Sequence, residues 1–445
     1  MSASLPRRLR SLLGADIEDL TEAHLQGLIG QPETDDLEVK AEVYGRGDSA
    51  KRELCADMTA LANARGGLLL IGASESDDVV DELTPVETDG QEIWIRQVLA
   101  SGIVPPLPVL SRTIPASSAD GTGYIAVAVA ASVDAPHAAI LNDDFRYVVR
   151  DGPRKRPMRE PEVADQHRRR VVAVSARNER LADVHDSIVA HVEPSASPTW
   201  LVLASVPDSP GRFDISSRTR DETRDWIRAL RPLLPIPNAL SSLDGSYVST
   251  GFRRVILGDS SMFNGEAPGY GIAEFHTDGS VGVAIAMGGK RPHPQSDDEA
   301  ISIPDIVVPF YVIAELVLAG RWAERVGAGG QINVSGVLRN REAAVLVQNR
   351  RGFLDRLHGT RSLTGMTPTS THTFGAEDLC SPGPGLVASA ALISNDIFNS
   401  FGAGQCLHLA PSGAIRQSYV DNDYRRPVSE WAERNGVELS AETIA

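Results

Sequence analysis

Two blocks of sequence decide the fold of the N-terminal region: Glu33-Thr-Asp-Asp-Leu-Glu-Val-Lys40 and Ala60-Leu-Ala-Asn-Ala-Arg-Gly-Gly-Leu-Leu-Leu-Ile-Gly72. Apolar and charged residues begin to alternate within the first block, at Leu37, and the alternation continues to Val43. This pattern predicts a strand over 37–43 with its charged side chains on one face. In the second block, a helical stretch ends at a pair of glycines and a continuous apolar run follows. Such a run is typical of a strand buried on both faces.

Acidic side chains in and after these blocks are candidate catalytic or metal-binding groups. Glu33 and Glu38 stand at the start of the predicted strand, Lys40 shares the face of Glu38, and Glu75 follows the apolar run. Carboxylates around a divalent cation can neutralise a phosphodiester and generate hydroxide near neutral pH, and a lysine can support the developing charge. The alternative is a solvated strand face, which spacing alone favours because charged alternation is common on half-exposed strands.

The most basic stretch of the chain follows a further predicted strand at 145–149. Its cations are candidates for contacts with phosphate, which require such a cluster. The alternative is the solvated start of a helix, and both interpretations stay open. The residues concerned are Arg150, Arg154, Lys155 and Arg156.

Composition limits the classes of function. The 445-residue chain has a formal net charge of -16 and a pI near 5.1, which argues against a broadly basic surface for nucleic acid but allows a local basic groove. Its cysteines (Cys55, Cys380 and Cys406) form neither a disulfide framework nor a paired zinc spacing, so we expect a reducing, cytoplasmic location. No signal peptide is expected, because no apolar segment follows the basic N-terminus. No membrane span is expected, because the longest apolar run, 303–319, is interrupted by Asp305, Pro309 and Glu315.

The order of patterns along the chain predicts an α+β protein with two main domains. We expect N-terminal helices at 1–30, a mixed-sheet domain at 31–160, a linking helix and linker at 161–197, and a second α+β domain of unknown role at 198–445. ATP binding is not expected. The stretch Met287-Gly-Gly-Lys-Arg291 lacks the first glycine and the final Ser/Thr of a P-loop.

Three ordered blocks resemble the Schlafen AlbA_2 domain family: Glu33–Lys40, Ala60–Gly72 and Tyr147-Val-Val-Arg-Asp-Gly152. The family pattern is roughly E-[ST]-x-x-L-E-[FV]-K, then A-[FL]-A-N-x-x-G-G with a following strand, then Y-x-x-R-x-G. The resemblance covers about residues 15–165 and does not extend to the rest of the chain. It implies a mixed sheet with packed helices and a domain that binds nucleic acid, often described as DNA-binding.

The resemblance also implies a site. Schlafen members of the family are endoribonucleases that cut tRNA and rRNA with three acids and Mg2+ or Mn2+. When the three acids of the family are mapped onto this sequence, the first two are Glu33 and Glu38. The third falls on Glu75, where the family usually has aspartate, and Asp77 or Asp78 could serve instead.

The leading hypothesis is therefore a metal-dependent nuclease acting on structured RNA such as tRNA. Glu33, Glu38 and Glu75 would hold the metal, Lys40 would stabilise phosphate charge, and the basic stretch from Arg150 to Arg156 would grip the backbone. One alternative is a non-catalytic DNA- or RNA-binding regulatory protein. Another is a bacterial defence protein whose C-terminal domain is the effector or sensor. Schlafen proteins clamp RNA between two such lobes, and one is present here, so we expect a homodimer or higher homo-oligomer.

Overall fold

A computed structural model describes residues 5–117, 121–130, 132, 134–141, 144–243, 247–290, 301–350, 353–357 and 360–443, so Arg291 lies outside the described residues. The chain divides into two compact units, Met1–Ala176 and Arg177–Ala445. Both units combine helices with sheets, which confirms the α+β class. The division falls inside a single helix, Glu160–Val192. The domain boundaries proposed from the sequence stay a prediction.

The first unit contains five-stranded, four-stranded and two-stranded sheets within its described residues. Its helices are α1 (Arg7–Leu13), α2 (Glu22–Leu25), α3 (Asp48–Asn63), α4 (Gln91–Gly102) and α5 (Glu160–Val192), with 3-10 helices at Ile17–Asp19 and Gln26–Leu28. Its strands are β1 (Leu37–Lys40), β2 (Gly66–Ile71), β3 (Ala73–Ser76), β4 (Val79–Leu83), β5 (Val86–Glu87), β6 (Ile103–Val104), β7 (Leu110–Pro115), β8 (Thr122–Ala130), β9 (Ala138–Leu141), β10 (Asp144–Asp151) and β11 (Arg154–Pro157).

The five-stranded sheet has a core on each side. Its order is β1-β2-β8-β5, with β7 also paired to β8, and β1 runs parallel to β2. Leu68 and Leu70 pack with the N-terminal helices, whereas Leu69 and Ile71 pack with α3 and α4. The predicted strand that is buried on both faces is therefore confirmed. Glu38 stands beside Leu69 in the register, so the charged face of β1 points toward α3.

Helix α3 begins at Asp48, two residues earlier than a helix with Ser49 as its N-cap would begin. Serine favours the N-cap position, but Gly47 and not Ser49 occupies it here, and Asp48 lies in the first turn. An acidic residue there interacts favourably with the positive end of the helix dipole. The apolar stripe of the helix, including Leu54, Met58 and Leu61, is buried.

Gly67 is required by the close approach of β2 to the chain before β1. A Cβ atom at this position would lie 2.4 Å from the Asp36 carbonyl oxygen and 2.8 Å from a Leu61 methyl group. We expect Gly67→Ala to lower the free energy of unfolding of the first unit by about 1–3 kcal/mol, because backbone must shift to relieve the clash. Amide hydrogen exchange of β2 measures this. Gly45→Ala is the control, since its Cβ would meet only Ala50 at 3.7 Å, and an equal loss in both variants would contradict the prediction.

The second unit is built on one large sheet. Its described order is β13-β14-β15-β16-β12-β19-β18-β17, with three more strands paired to β19. Its strands are β12 (Thr199–Ser209), β13 (Tyr247–Gly251), β14 (Arg254–Gly258), β15 (Gly271–His276), β16 (Val281–Ala286), β17 (Gly289–Lys290), β18 (Ile301–Pro304), β19 (Gly329–Arg350), β20 (Phe353–Arg356), β21 (Leu363–Met366), β22 (Ser370–Gly375), β23 (Ile415–Arg416) and β24 (Leu439–Ser440). Its helices, besides the end of α5, are α6 (Ser217–Ala229), α7 (Val307–Val326), α8 (Ala376–Cys380), α9 (Pro384–Ser400) and α10 (Asn422–Arg434), with 3-10 helices at Arg231–Leu233, Pro237–Leu243, Ser260–Asn264 and Gln417–Tyr419.

Most of the apolar run at 303–319 lies in helix α7, in the core of the second unit, and its first two residues end strand β18. Phe310, Leu316 and Trp322 are among the fully buried side chains of α7. They pack with residues of the large sheet and of α9, as expected for a buried helix. Within the described ranges, no helix is long and apolar enough to cross a membrane.

Candidate functional site

The three candidate acids come together from three separate segments of the first unit. Glu38 lies on β1, Glu33 precedes that strand, and Glu75 lies on β3. The Val39 backbone N–H donates to Glu33 Oε1 at 2.8 Å, which turns this carboxyl toward the strand. The Glu33 side chain also shares a hydrogen bond with Glu75 and lies close enough to Glu38 to interact with its charge. These three glutamates are called the acid cluster below.

The possible alternatives to Glu75 lie in a turn. Asp77 and Asp78 have φ angles of 55° and 62° and connect β3 to β4, as in a two-residue hairpin of type I′. The Asp78 carbonyl accepts a hydrogen bond from the Glu33 N–H at 2.8 Å. Across the described residues, however, neither aspartate side chain is hydrogen-bonded to Glu33. Glu75 is therefore the third acid of the cluster, which it joins through its hydrogen bond with Glu33.

Arg150 lies in the acid cluster and not on the surface. Its Nη1 donates to Glu38 Oε2, its Nη2 lies 3.6 Å from Glu33 Oε2, and the side chain is fully buried. Nη2 also donates to the Pro153 carbonyl at 3.0 Å. The expectation that Arg150 grips a nucleic-acid backbone is therefore wrong for this arrangement, because buried carboxylates attract the guanidinium more strongly than the exposed face of the hairpin.

Two residues outside the predicted site hold the Arg150 strand in position. Asn63 Nδ2 donates to the carbonyls of His137 and Val148, and its Oδ1 accepts from the His137 N–H. Asp35 Oδ1 accepts from the Gly152 N–H at 2.7 Å. Asn63 therefore does more than end a helix, since it ties α3 to β9 and β10. The signal was present in the sequence, because both residues fall inside the blocks that resemble the family.

A second charged network adjoins the acid cluster on its α3 side. Lys40 Nζ donates to Glu38, and Lys155 donates to the fully buried Asp57, which also accepts from the Tyr44 hydroxyl at 2.6 Å. Burial alone would lower the pKa of Lys40, but the charges of Glu38 and Asp57 outweigh burial and raise this pKa. Lys40 is thus held as a cation beside Glu38.

The other predicted phosphate contacts lie along β11, which pairs antiparallel with β10. In this register Lys155 stands opposite Arg150, so it points toward α3 and is about one-third exposed. Arg156 is on the other face and binds Asp151 and Glu162. Arg154 is exposed, and its side chain has no ion pair with any residue that the structure describes. Arg154 is the best-placed of these cations to meet a phosphate.

Burial raises the pKa of Glu33 to about 8. The hydrogen bond from Val39 opposes this shift, but the nearby charge of Glu38 and the hydrogen bond shared with Glu75 act in the same direction as burial. Near neutral pH, Glu33 is therefore largely protonated, and its carboxyl group donates the hydrogen bond that it shares with Glu75.

The stability of the first unit should consequently fall as the pH rises from about 5 to 9. The folded unit binds one more proton at Glu33 than the unfolded chain, in which the glutamate has its ordinary pKa of 4.5. The free energy of unfolding then decreases by up to about 1.4 kcal/mol per pH unit between the two pKa values. The slope is measured by denaturant unfolding at several pH values, with hydrogen exchange of β2 as the readout. Glu33→Gln should flatten it and the exposed Glu42→Gln should not, whereas an unchanged slope in Glu33→Gln would contradict the assignment.

The acid cluster suits a metal in its chemistry but not in its present arrangement. Carboxylate oxygens are the ligands that Mg2+ and Mn2+ prefer. Yet in the part of the chain that the structure describes, no group of three or more Asp, Glu, His or Cys side chains has the geometry of a metal site. Arg150 lies on the oxygens that a cation would need. With Arg150 in this position, the residues do not fit a divalent cation.

Comparison with known families agrees with the three sequence blocks. Residues 33–159 match the family model described as "Schlafen, AlbA_2". This matched range includes the acid cluster, Asn63 and Arg150. The resemblance of the N-terminal region to the Schlafen AlbA_2 family is confirmed, and this family indicates a function related to nucleic acid. The second unit lies outside the match.

No curated protein matches the sequence. A solved structure with detectable likeness is that of the DIP2311 protein from Corynebacterium diphtheriae, at 19% sequence identity and a TM-score of 0.24. The match covers 36% of this chain and 32% of that protein, so this chain spans about a third of that protein's length. A likeness of this size carries no argument about function.

Proposed function

We propose that the N-terminal region is a Schlafen-like metal-dependent nuclease that hydrolyses phosphodiesters in structured RNA such as tRNA. One observation carries the proposal: Glu33, Glu38 and Glu75 converge from three segments, with Lys40 held as a cation beside them. Glu33 and Glu38 are buried and Glu75 is exposed beside them, and buried acids are costly unless they are paired, so this grouping supports a role beyond packing. If the charged face of β1 were only a solvated surface, Glu38 would be exposed.

The proposed cofactor is Mg2+ or Mn2+, with Glu33, Glu38 and Glu75 as its ligands, and ATP has no role. Such a cation would supply Lewis-acid activation of the phosphodiester and of water. From this chain, Lys40 would stabilise negative charge at the phosphate. Arg154, Lys155 and Arg156 would hold the backbone of the nucleic acid.

The test is incubation of the full chain with a tRNA pool and with double-stranded DNA of similar length, each with Mn2+ and with EDTA. We expect defined RNA fragments only with Mn2+, and little or no cleavage of DNA. Intact RNA under all conditions would exclude the nuclease, whereas equal cleavage of DNA would exclude the preference for RNA.

A second candidate is a non-catalytic DNA- or RNA-binding regulatory protein. The observation that favours it is the placement of Arg150 on two of the three acids. Such a protein would bind nucleic acid with strong salt dependence and without metal-dependent cleavage, since phosphate contacts release counterions. The same RNA pool distinguishes the two candidates by whether fragments form.

Either candidate predicts an effect of Arg154→Gln on the salt dependence of binding. If the exposed Arg154 contacts a phosphate, its removal should reduce the slope of log K against log salt by about 0.7–0.9. Fluorescence anisotropy with labelled, non-cleavable RNA at several salt concentrations measures this slope. Arg112→Gln on β7 is the control and should leave the slope unchanged. An unchanged slope in Arg154→Gln would remove this residue from the interface.

We further propose that a second copy of the chain supplies the other lobe of an RNA clamp, which makes the protein a homodimer or a higher homo-oligomer in the cytoplasm. The second unit would be the effector or sensor of a bacterial defence system. Light scattering tests the first idea, and a monomer at working concentration would contradict it. Deletion of residues 198–445 tests the second. We expect it to abolish the phenotype in cells while nuclease activity persists.

A further inference from the structure

We infer that the hairpin tip between β13 and β14 is a contact for single-stranded nucleic acid, in which Phe252 stacks on a base and Arg253 binds a phosphate. The inference rests on the proposed function for the class of ligand, because it takes nucleic acid to be what this chain binds. It gives the second unit a part in binding, although that unit lies outside the family match.

The first support is the exposure of the tip. Phe252 is 89% exposed, the largest exposed fraction of any large hydrophobic side chain in the described part of the chain. Arg253 is exposed as well, and its side chain has no hydrogen bond or ion pair with any residue that the structure describes. An aromatic ring and a cation therefore meet solvent side by side.

The second support is the conformation of the turn. Gly251 pairs with Arg254, so Phe252 and Arg253 form a two-residue hairpin loop. Loops of this length favour Asn-Gly, with positive φ at both positions, or glycine at the first position. Here Arg253 has a φ of 56°, a left-handed conformation that favours glycine and costs an arginine free energy. Because this pair is unfavourable for the hairpin itself, its presence supports a role in binding.

The third support is that the base of the tip is fixed. The Thr277 N–H donates to the Arg253 carbonyl at 3.0 Å, which ties the tip to the next hairpin of the sheet. Arg254 Nη1 donates to Ser187 Oγ at 2.9 Å, and its Nε lies 3.2 Å from the buried Glu274 carboxylate. The exposed ring and the free guanidinium are thus presented on a firm scaffold, which lowers the cost of ordering them when a ligand binds.

Single-stranded nucleic acid is the ligand that offers a partner to each group of the tip. Aromatic side chains stack on unpaired bases with little regard to sequence, and arginine binds phosphate oxygens. A duplex keeps its base faces covered by their neighbours, so it offers nothing for the ring to stack on. We therefore expect the tip to bind single strands with little sequence preference.

The test is fluorescence anisotropy of the full chain with a labelled oligo(U) RNA of about 12 nucleotides, in EDTA to stop metal-dependent cleavage. Phe252→Ala should weaken binding by about five- to 150-fold, because one stacking contact is lost. Arg253→Gln should reduce the slope of log K against log salt by about 0.7. Phe263→Ala is the control, since this phenylalanine of the same unit is 62% exposed, and it should change the affinity less than about twofold.

A double variant separates binding from a structural role of the tip. Phe252→Asn with Arg253→Gly installs the favoured turn, so it should raise the thermal midpoint of the second unit by about 1–3 °C. The same variant should weaken oligo(U) binding at least as much as Phe252→Ala does. Tryptophan fluorescence follows this unit, because four of the five tryptophans lie beyond residue 176. A purely structural tip would show the opposite pattern, with a lower midpoint and unchanged binding.

Three outcomes would overturn the inference. The wild type does not bind oligo(U), Phe252→Ala binds it as tightly as the wild type, or Phe252→Ala loses binding to anionic phospholipid vesicles while oligo(U) binding stays intact. The last result would assign the tip to a lipid surface. Because binding is measured without a metal, absence of tRNA cleavage would count against the proposed nuclease and not against this contact.

Discussion

The Glu38→Gln variant is expected to cleave tRNA at least about 100-fold more slowly than the wild type in the presence of Mn2+. Glu38 lies between Lys40 and Arg150, and it is the acid most completely surrounded by the charged groups of the cluster. Glutamine keeps the shape of the side chain and one oxygen that can accept hydrogen bonds, but it removes the negative charge. The loss would therefore reflect chemistry and not packing.

The control for this variant is Glu42→Gln, an exposed glutamate shortly after the same strand. It should cleave at the wild-type rate. Hydrogen exchange of β2 should show that Glu38→Gln keeps its fold. If Glu38→Gln is folded and cuts tRNA as fast as the wild type, the acid cluster is not the hydrolytic site.

The second large effect concerns stability. Arg150→Met should lower the free energy of unfolding of the first unit by about 3–5 kcal/mol, because it leaves the buried carboxylate of Glu38 without its cation. Hydrogen exchange of β2 reports on this unit separately from the second one. Fluorescence is less suitable, since Trp94 is the single tryptophan of the first unit and the other four lie beyond residue 176.

The matched control is Arg156→Met on the neighbouring strand. Arg156 binds Asp151 and Glu162 at the surface, where a salt bridge contributes about 1 kcal/mol or less. A similar loss of unfolding free energy in both variants would show that the Arg150 contacts stabilise the unit no more than a surface salt bridge does. Survival of Arg150→Met at full stability would contradict the burial of this charge network.

Local patterns in the sequence predicted those parts of the fold that depend on nearest neighbours. The alternation of Leu37 and Glu38 identified β1, and the apolar run from Leu68 to Ile71 identified the central strand. Both features arise from side-chain period and from burial on one or two faces. The grouping of Glu33 with Glu38 also followed from a local feature, because Glu33 lies on the segment that leads directly into β1.

What the sequence could not show depends on residues that are far apart in the chain. Glu38 looked like part of a solvated face because the element that covers it, β10, lies 112 residues away. For the same reason, the sequence pointed to phosphate as the partner of Arg150. The basic stretch around Arg150 is visible locally, whereas its acidic partners are far away in the chain. The Asp35 contact with Gly152 spans 117 residues and likewise has no local signature.

The most direct test of the central claim is an anomalous-difference map from crystals of the full chain with Mn2+ and a non-cleavable RNA. We predict a peak bounded by Glu33, Glu38 and Glu75, whose carboxylate oxygens would hold the ion. A map without a peak at the acid cluster, in which Arg150 still binds Glu38 beside bound RNA, would contradict the account.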